Sequence, residues 1–300
     1  MIQNYWLLLG FCNVCLGLYF IVTTCYGLFQ KEKSNKLIHT WSRFAILIPA
    51  RNEATVIGYL LESLEKQNYP KEQYDVFILL NHCQDQTEEI SKQNGAKVLL
   101  ISDTVSSKGE VLNEAFTKFT TSSYDAYAIF DADNVVHPDF LLEMNQQLLQ
   151  GEQVIQGFRD SKNATTNWLT ASYSIFYWIQ DFFYQSRANL QASAAINGTG
   201  FVIAKSYLKE YPYFVHTLTE DMEFSAQCAL HQTRIAYAKK AITYDEQPTQ
   251  LATLWKQRKR WTVGGYQCLK DYSFPLQKKF ASFPMACMDS FLLFSPPYCK

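Results

Sequence analysis

The sequence predicts an α/β protein with a mostly parallel β-sheet and helices on both faces of that sheet. Short apolar runs alternate with helical segments between residues 44 and 130. The runs are apolar throughout, which is typical of strands buried in a parallel sheet. Pro49, Asn81 and Asp131 each stand at the end of one run. Because ligands bind beyond the carboxyl ends of such strands, we expect these three residues to converge on one crevice.

Four strands and three helices account for this part of the chain. The strands are predicted over four apolar runs: 44–49, 75–80, 97–101 and 126–130. The helices are predicted where apolar residues recur at helical spacing or a stop signal follows: 55–66, 86–93 and 111–119. Gly95 closes the second of these helices, as glycine often does.

The beginning of the chain predicts a membrane span. The first thirty residues carry no acidic or basic side chain, and residues 5–29 are long and apolar enough to cross a bilayer. A signal peptide is the weaker interpretation, because no basic region precedes the apolar stretch, and a buried helix of a soluble domain is the other alternative. Three lysines follow between Lys31 and Lys36. By the positive-inside rule they predict a cell-membrane protein, with one span or a few, whose following domain lies in the cytoplasm.

Charge and cysteine content exclude some classes of function. The formal net charge is −1, so no strong field attracts nucleic acid. Eight cysteines are present, and Cys12 and Cys15 form the only closely spaced pair, inside the apolar segment. We therefore expect reduced cysteines, as in a cytosolic domain, and neither a zinc site nor a disulfide framework.

Two further segments stand out by composition. Eight aromatic side chains lie between Trp168 and Arg187, and residues 280–298 are apolar with Asp289 as their only charge. The first segment predicts a helix at a membrane interface or along a wide binding groove, with a plain core helix as the alternative. The second predicts an interfacial segment or the start of a further span.

Asp131-Ala132-Asp133 is the strongest local indication of chemistry. Two carboxylates one residue apart, directly after a predicted strand, offer the hard oxygen ligands that Mg²⁺ or Mn²⁺ prefers. Such a metal also contacts phosphate oxygens in many phosphate-handling sites. An acidic turn is the alternative interpretation, and the position after a buried strand favours the metal site.

Two later clusters add complementary chemistry. Glu220 and Asp221 offer a carboxylate for general-base catalysis, although Thr219 with two acidic residues is also typical of a helix N-terminus. The basic stretch 256–260 with Trp261 offers charged donors to a diphosphate and a stacking face for a sugar, with an anionic-lipid contact as the alternative.

In this order the motifs resemble those of the family 2 glycosyltransferases, particularly the membrane-bound, inverting branch with the cellulose, hyaluronan and poly-N-acetylglucosamine synthases. The resemblance spans residues 44–265. It rests on seven motifs: Ile48–Glu53, Asn81–Thr87, Lys108-Gly109, Asp131–Asp133, Asn197–Gly200, Thr219–Asp221 and Gln257–Trp261.

The resemblance implies a GT-A fold and transfer of a hexose or N-acetylhexosamine from a nucleotide diphosphate sugar. The donor-binding residues that it implies are Pro49, Ala50, Arg51, Glu53, Asn81, Asp85, Lys108 and Asp131. Asp133, with Asp131, holds the metal, and Asp221, beside Glu220, is the catalytic base. The residues that it implies for the acceptor and the diphosphate are Gly198, Thr199, Gly200, Gln257, Arg260 and Trp261.

The same resemblance divides the chain and names its partners. The implied parts are a transmembrane helix (1–30), a basic linker (31–43), a nucleotide-sugar-binding half (44–150), an acceptor-binding and catalytic half (151–270) and an interfacial or membrane segment (271–300). The expected partners are a nucleotide sugar, a glycan or lipid acceptor and the lipid bilayer, with no nucleic acid.

Two departures from the family pattern limit this interpretation. Asn81 stands where many relatives carry the aspartate that meets uracil, so a uridine nucleotide is expected on the remaining motifs. Polymer synthases of this branch usually have several spans after the last motif, whereas here only the apolar segment at 280–298 follows. The sequence is therefore expected to be either a fragment or an enzyme with a reduced membrane part, and it does not predict export through a self-made channel. The alternative functions are a polyprenyl-phosphate sugar transferase and an inactive relative that acts as a membrane scaffold or nucleotide-sugar sensor.

Overall fold

A computed structural model describes residues 2–28 and 40–294 of the chain. The basic segment at residues 31–36 and the last part of the apolar segment at 280–298 lie outside the described residues. Among the helices that the described residues form, none is both long and apolar enough to cross a membrane.

The described residues form ten α-helices and eight strands. The helices are α1 (Ile2–Leu28), α2 (Ile57–Glu65), α3 (Thr87–Gln93), α4 (Lys108–Phe119), α5 (Phe140–Leu149), α6 (Trp168–Asn189), α7 (Lys205–Glu210), α8 (Glu220–Leu230), α9 (Leu251–Lys279) and α10 (Pro284–Phe294). The strands are β1 (Phe44–Ala50), β2 (Tyr74–Leu80), β3 (Lys97–Leu100), β4 (Ala126–Ile129), β5 (Val135–Val136), β6 (Val154–Ser161), β7 (Phe201–Ala204) and β8 (Ile235–Asp245).

All eight strands belong to one sheet, in the order β3-β2-β1-β4-β7-β6-β8-β5. The four strands predicted from the sequence lie side by side and run parallel, as expected. Strand β7 is antiparallel to both of its neighbours, β4 and β6. Strand β8 runs parallel to β6 and antiparallel to β5. The sheet therefore joins a parallel half to a mixed half.

Helices cover both faces of the sheet, which confirms the predicted layers. Along β1, Ile46 and Ile48 pack into a core under α2 and α5, whereas Ala45 and Leu47 pack into a core on the opposite face, under α4 and α8. This alternation follows from the two-residue period of a strand. Both faces of β1 are buried, which explains why its sequence is apolar throughout.

Helix α6 combines two of the roles that the sequence left open for its aromatic residues. Tyr173 and Tyr177 are buried against the domain, whereas the side chains of Trp168 and Trp178 are 68% and 55% exposed. The helix packs against α1, where the rings of Phe20 and Phe183 meet with centroids 5.5 Å apart. It is thus a core helix on one side and an apolar surface on the other.

Candidate active site

A cavity of about 420 Å³ opens at the carboxyl ends of β1, β2 and β4, where the sequence predicted a crevice. It brings together most of the predicted site residues: Pro49, Ala50, Arg51, Glu53, Asn81, Lys108, Asp131, Asp133, Gly198, Glu220, Asp221, Gln257, Arg260 and Trp261. Residues about 200 positions apart line the same cavity, because the mixed half of the sheet lies beside the parallel half.

Three predicted residues do not line this cavity. Asp85 accepts hydrogen bonds from Ala54 N (3.0 Å) and Thr87 N (3.1 Å), so it shapes the turn before α3. Thr199 is fully buried, and its hydroxyl accepts a hydrogen bond from Asp131 N at 3.0 Å. Gly200 has a φ of +62°, and a Cβ there would lie 2.5 Å from Thr243 Oγ1, so only glycine fits. These residues support the cavity wall from behind.

Where β1 and β2 end at the cavity, Arg51 binds Asn81. The guanidinium donates to the Asn81 side-chain oxygen and, at 3.4 Å, to its backbone oxygen. The Asn81 amide nitrogen donates to Val105 O at 3.0 Å and to Ser102 O at 3.5 Å. Because both the nitrogen and the oxygen of this amide already have partners, Asn81 keeps one oxygen lone pair to offer a base edge. Asn81 therefore has fewer free hydrogen-bonding groups to offer a nucleotide base than the sequence predicted.

The Asp131-Ala132-Asp133 turn is fixed by Asn134. Asp131 N donates to the Asn134 side-chain oxygen at 3.1 Å, and the Asn134 amide nitrogen donates to Asp133 Oδ1 at 3.2 Å. Burial, followed by the charges of Asp245 and Asp131, raises the pKa of Asp133 to about 7. An excess of negative charge on hard oxygen atoms is the environment that a divalent cation neutralises, so these residues fit a metal.

The two carboxylates of the turn are not equivalent. Asp131 forms an ion pair with Lys108, whose Nζ also donates to Gly198 O at 2.6 Å. Asp133 forms no ion pair with any base among the described residues. Within the part of the chain that the structure describes, no group of three or more Asp, Glu, His or Cys side chains is arranged to hold a metal. Further ligands to a cation would therefore come from the nucleotide and water.

Lys108 joins the Asp131–Asp133 turn to the second acidic cluster. Its Nζ lies 3.6 Å from Glu220 Oε1 as well as beside Asp131. Burial opposes its charge, but the charges of Asp131 and Glu220 outweigh burial and raise the pKa of Lys108. Helix α4 can bring this lysine close because Gly109 has no side chain: a Cβ there would lie 2.6 Å from Val215 Cγ2. A partly buried lysine that stays protonated is suited to bind a phosphate.

Asp221 lies in the first turn of α8, and its side chain is fixed locally. Asp221 Oδ1 accepts a hydrogen bond from Met222 N at 2.8 Å. Burial raises the pKa of Asp221 and that of Glu220 above the ordinary values of carboxyl groups. A raised pKa makes a carboxylate a better proton acceptor. Thr219 occupies the N-cap position of α8, as the helix-start interpretation predicted. Its side chain, however, makes no capping hydrogen bond.

Helix α9 carries the remaining predicted residues on one face. Gln257, Arg260 and Trp261 are spaced i, i+3 and i+4, so their side chains lie side by side. Gln257 Oε1 accepts a hydrogen bond from Tyr173 OH at 2.8 Å. The Arg258 guanidinium lies over the rings of both Tyr173 and Trp261, at 5.2 and 5.1 Å from their centroids. These contacts fix the helix against α6 and orient the Trp261 ring.

Gly264 allows α9 to approach the start of α8. A Cβ on Gly264 would lie 2.6 Å from Thr219 Cγ2 and 2.9 Å from Thr219 Cβ. Rotation of the threonine side chain cannot relieve the contact with its Cβ. The substitution Gly264→Ala is therefore expected to lower the free energy of unfolding by about 1–3 kcal/mol and to reduce activity, because α9 moves away from Asp221.

The matched control for this prediction is Gly58→Ala in α2, where a Cβ would meet only Ile90 Cγ2, at 4.0 Å. That change is expected to raise stability by roughly 0.5–1 kcal/mol, since alanine favours a helix. Chemical denaturation of both variants measures the difference. Equal effects of the two substitutions would show that α9 and Thr219 are not in close contact.

Glu223 is a buried carboxylate that the sequence did not single out. Its Oε2 accepts hydrogen bonds from the backbone nitrogens of His216 (2.9 Å) and Thr217 (2.7 Å), and its Oε1 accepts one from Tyr272 OH (2.8 Å). Glu223 itself has no exposed surface. It thus fixes the segment before Asp221 both to α8 and to α9.

Replacing Glu223 by alanine is expected to lower the free energy of unfolding by about 3 kcal/mol, because the buried backbone N–H groups and the tyrosine hydroxyl lose their acceptor. Chemical denaturation measures this loss. The control is Glu62→Ala, which removes an exposed carboxylate paired with Lys66 and should leave the midpoint unchanged within error. A similarly small effect of Glu223→Ala would refute the assigned contacts.

Arg159 and Asp245 line the cavity but were not predicted from the sequence. Arg159 Nε donates to Asp245 Oδ2 at 2.9 Å, and its Nη1 donates to Asn197 O at 2.8 Å. Asp245 also accepts a hydrogen bond from the Asn134 amide at 3.1 Å, so this ion pair supports the Asp131–Asp133 turn. Both residues lie at or near the carboxyl ends of strands β6 and β8. The rule that located Pro49 and Asp131 would have located them once those strands were assigned.

The fold agrees with solved glycosyltransferase structures at low sequence identity. A mannosyltransferase from Pyrobaculum calidifontis, solved with GDP-Man and Mn²⁺, superposes with a TM-score of 0.65 and 13% identity, over 94% of this chain and 83% of that one. TarS residues 1–349 from S. aureus, solved with UDP-GlcNAc, superposes with a TM-score of 0.56 and 17% identity, over 82% and 73% of the two chains. These similarities support the GT-A fold that the resemblance implied.

Sequence relatives share more identity. A β-monoglucosyldiacylglycerol synthase from Trichormus variabilis is 29% identical over 81% of this chain and 52% of the relative. A poly-β-1,6-N-acetyl-D-glucosamine synthase from Staphylococcus epidermidis is 27% identical over 86% of this chain and 65% of the relative. The chain thus spans between about half and two thirds of the length of these relatives. The family model described as "Glycosyltransferase like family 2" matches residues 42–264, which contain every predicted site residue. The chain therefore belongs to glycosyltransferase family 2.

Proposed function

We propose that the protein is a metal-dependent, inverting glycosyltransferase that moves a hexose or N-acetylhexosamine from a nucleotide diphosphate sugar, expected to be a UDP-sugar, to a hydroxyl of a glycan or lipid. One observation carries the proposal. A single cavity joins a carboxylate pair suited to a metal, a protonated lysine, a carboxylate with a raised pKa and the Gln257–Arg260–Trp261 face of α9.

The donor is expected to lie along the parallel half of the sheet. The nucleoside then contacts Ala50, Arg51 and Glu53, and the diphosphate reaches Lys108 and the Asp131–Asp133 turn. Arg260 completes the positive surroundings of the leaving group. A Mg²⁺ or Mn²⁺ ion held by Asp133 and Asp131 supplies Lewis-acid stabilisation to the diphosphate when it is bound.

Asp221 is proposed to remove the proton of the acceptor hydroxyl. As the O–H bond breaks, the acceptor oxygen attacks the anomeric carbon from the side opposite to the diphosphate. The bond from that carbon to the diphosphate oxygen breaks in the same step, so the nucleotide leaves as the diphosphate and the anomeric centre is inverted. The proton remains on Asp221 until water removes it, and no covalent sugar–enzyme intermediate forms.

Membrane anchoring remains part of the proposal. The uncharged first thirty residues support it, as do exposed apolar side chains along α1, among them Val14, Leu18, Ile21 and Val22. The lysines between Lys31 and Lys36 favour a cytoplasmic catalytic part. The names of the relatives are those of enzymes that make a glycolipid and a polysaccharide, which supports an acceptor of either kind.

A donor screen tests the proposed function. The purified full chain is incubated with UDP- and GDP-sugars and with Mn²⁺ or EDTA, and release of the nucleotide diphosphate is measured with and without acceptors. We expect release from one class of donor, with Mn²⁺ and stimulated by acceptor. Binding of donors without release for every acceptor would favour the sensor alternative, and transfer to a polyprenyl phosphate alone would favour the other alternative transferase.

A further inference from the structure

The segment at residues 211–219 joins α7 to α8 and leads directly to the proposed catalytic base. It is fastened to α4, because the Asn113 side chain donates to Val215 O at 3.1 Å and accepts from Val215 N at 3.3 Å. It is also fastened to α9, because Leu218 N donates to Gln267 Oε1 at 3.0 Å. The position of this segment therefore depends on two helices that lie far from it in the sequence.

His216 lies in this segment with a carboxylate beside each nitrogen of its ring. Nδ1 lies 2.8 Å from Glu223 Oε1 of α8, and Nε2 lies 3.2 Å from Asp271 Oδ2 of α9. The His216 backbone N–H donates to the other oxygen of Glu223 at 2.9 Å. One side chain thus connects two helices that carry different parts of the proposed site.

The two contacts of the ring require a hydrogen on both nitrogens. A nitrogen without a hydrogen would hold its lone pair against a carboxylate oxygen, and only the charged ring of histidine carries both hydrogens. Glu223 is fully buried, and a buried carboxylate is costly without a positive partner. Within the part of the chain that the structure describes, His216 is the basic side chain that forms an ion pair with Glu223. The geometry is therefore that of a protonated histidine.

The titratable groups around the ring come from the two helices that it joins. Glu223 belongs to α8 and Asp271 to α9, and Tyr272 of α9 donates to Glu223 Oε1 at 2.8 Å. Burial raises the pKa of Tyr272, so its hydroxyl stays neutral around neutral pH. Helix α4 presents the uncharged Asn113 to the segment. Both charged neighbours are negative, so their attraction to the ring is lost when the ring becomes neutral, and histidine changes its charge between about pH 5 and 8.

The ring belongs to a row of contacts along α9. Successive turns of α9 contact the segment or α8 in four places: Gly264 with Thr219, Gln267 with Leu218, Asp271 with His216 and Tyr272 with Glu223. Arg260, which lines the cavity, precedes the first of these contacts by about one turn of the same helix. The row therefore sets the distance from Arg260 on α9 to Asp221 on α8.

We propose that His216 is a positioning residue of the transferase, whose protonated ring holds α9 against α8 and so fixes Arg260 and Trp261 at the distance from Asp221 that transfer requires. The ring takes no part in the chemistry. As the pH rises, the ring loses its second proton, one of its two contacts becomes repulsive, and α9 is released from α8. This inference rests on the proposed function for its effect on activity, whereas its effect on stability is independent of that function.

Urea-induced unfolding of the full chain tests the contact without donor or acceptor. Asp271→Asn keeps the size of the side chain and removes its charge. We expect this change to lower the unfolding midpoint by about 0.2–0.5 M at about pH 6 and to leave it unchanged within error at about pH 8.5, because the histidine charge is present only at the lower pH. In a His216→Gln background the same change should have no effect at either pH.

The matched control is Asp139→Asn. Asp139 Oδ2 lies 3.9 Å from His137 Nδ1, but that nitrogen accepts a hydrogen bond from Asp139 N and therefore carries no hydrogen. The control should shift the midpoint equally at the two pH values. An Asp271→Asn shift that is equal at both pH values, or that persists in the His216→Gln background, would overturn the assigned contact.

The pH dependence of kcat tests the positioning role. With a UDP-sugar and Mn²⁺, His216→Gln and Asp271→Asn are each expected to lower kcat about tenfold at about pH 6, because a small displacement of α9 misplaces the diphosphate. At about pH 8.5 the unaltered protein has lost the same contact, so the three proteins should have equal kcat. The KM for the donor should stay within about twofold, since the nucleoside contacts lie in the parallel half.

The kinetic outcomes separate this proposal from the proposed function. A loss of kcat that is the same at both pH values, or no loss in either folded variant, would overturn the positioning role. Failure of the unaltered protein to release nucleotide from any donor would count against the proposed function instead, and the unfolding midpoints would still decide whether His216 joins the two helices.

Discussion

Replacing Asp221 by asparagine is expected to lower kcat by about 1000-fold while the dissociation constant of the donor changes little. Removal of a general base typically costs about 100- to 10,000-fold. Asparagine keeps the size of the side chain and an oxygen that can accept from Met222 N, so the first turn of α8 is preserved. The amide cannot take the acceptor proton. Steady-state kinetics and calorimetric titration of the donor measure the two quantities separately.

The control for this prediction is Asp139→Asn. Asp139 stands before α5, and its carboxylate accepts a hydrogen bond from the Asn68 amide at 2.7 Å, outside the cavity. The control variant should keep the kcat of the unaltered protein. If kcat of Asp221→Asn stays within tenfold of the same value, another group removes the proton and the assignment of the base is wrong.

Replacing Asp133 by alanine is expected to abolish the effect of Mn²⁺ on donor binding. Asp133 is largely buried, its pKa is raised to about 7 by burial and by Asp245 and Asp131, and no base among the described residues forms an ion pair with it. Of the two carboxylates in the turn, that of Asp133 is therefore the one that a bound cation would stabilise more. We expect donor affinity in Mn²⁺ to fall about 10- to 100-fold, to the value that the unaltered protein shows in EDTA.

The matched control is Asp160→Asn, since Asp160 belongs to the same sheet but binds Ser161 N and the Trp178 indole nitrogen. Calorimetric titrations of each protein with a UDP-sugar, in Mn²⁺ and in EDTA, give the affinities to compare. Donor binding by Asp133→Ala that still strengthens with Mn²⁺ would place the metal elsewhere or remove it from the mechanism.

The parallel half of the fold could be predicted because its information is local. Strands β1, β2, β3 and β4 are short apolar runs, and each is followed by a helix or a turn with its own sequence pattern. Pro49, Asn81 and Asp131 therefore converge as expected. The start of α4 was missed by three residues, although Ser107 and Glu110 form a capping box that the sequence displays.

The mixed half could not be predicted in the same way. Strand β7 has four residues and lies between β4 and β6, which precede it in the chain by about 75 and 45 positions. Its place is determined by long-range antiparallel pairing, and short apolar segments of this kind carry no periodic pattern of their own. Arg159 and Asp245 were missed because strands β6 and β8, which carry them, were not assigned either.

Most of the candidate site could be predicted from the family motifs, in both halves of the fold. The family motifs placed fourteen of the predicted residues around the cavity, but Asp85, Thr199 and Gly200 support its wall instead. A motif residue can thus hold the backbone of the cavity wall in place without lining the cavity itself. Glu223 shows the converse, since a buried carboxylate that accepts three hydrogen bonds has no local pattern that differs from an ordinary acidic helix start.

The stereochemistry of the product tests the central claim most directly. The full chain is given an α-linked UDP-sugar, Mn²⁺ and an accepted alcohol, and the anomeric configuration of the product is read from proton NMR coupling constants. Single displacement with Asp221 as the base predicts a β-linked product. An α-linked product would contradict the account, because it requires a second displacement or a front-face attack that a base on the acceptor side does not explain.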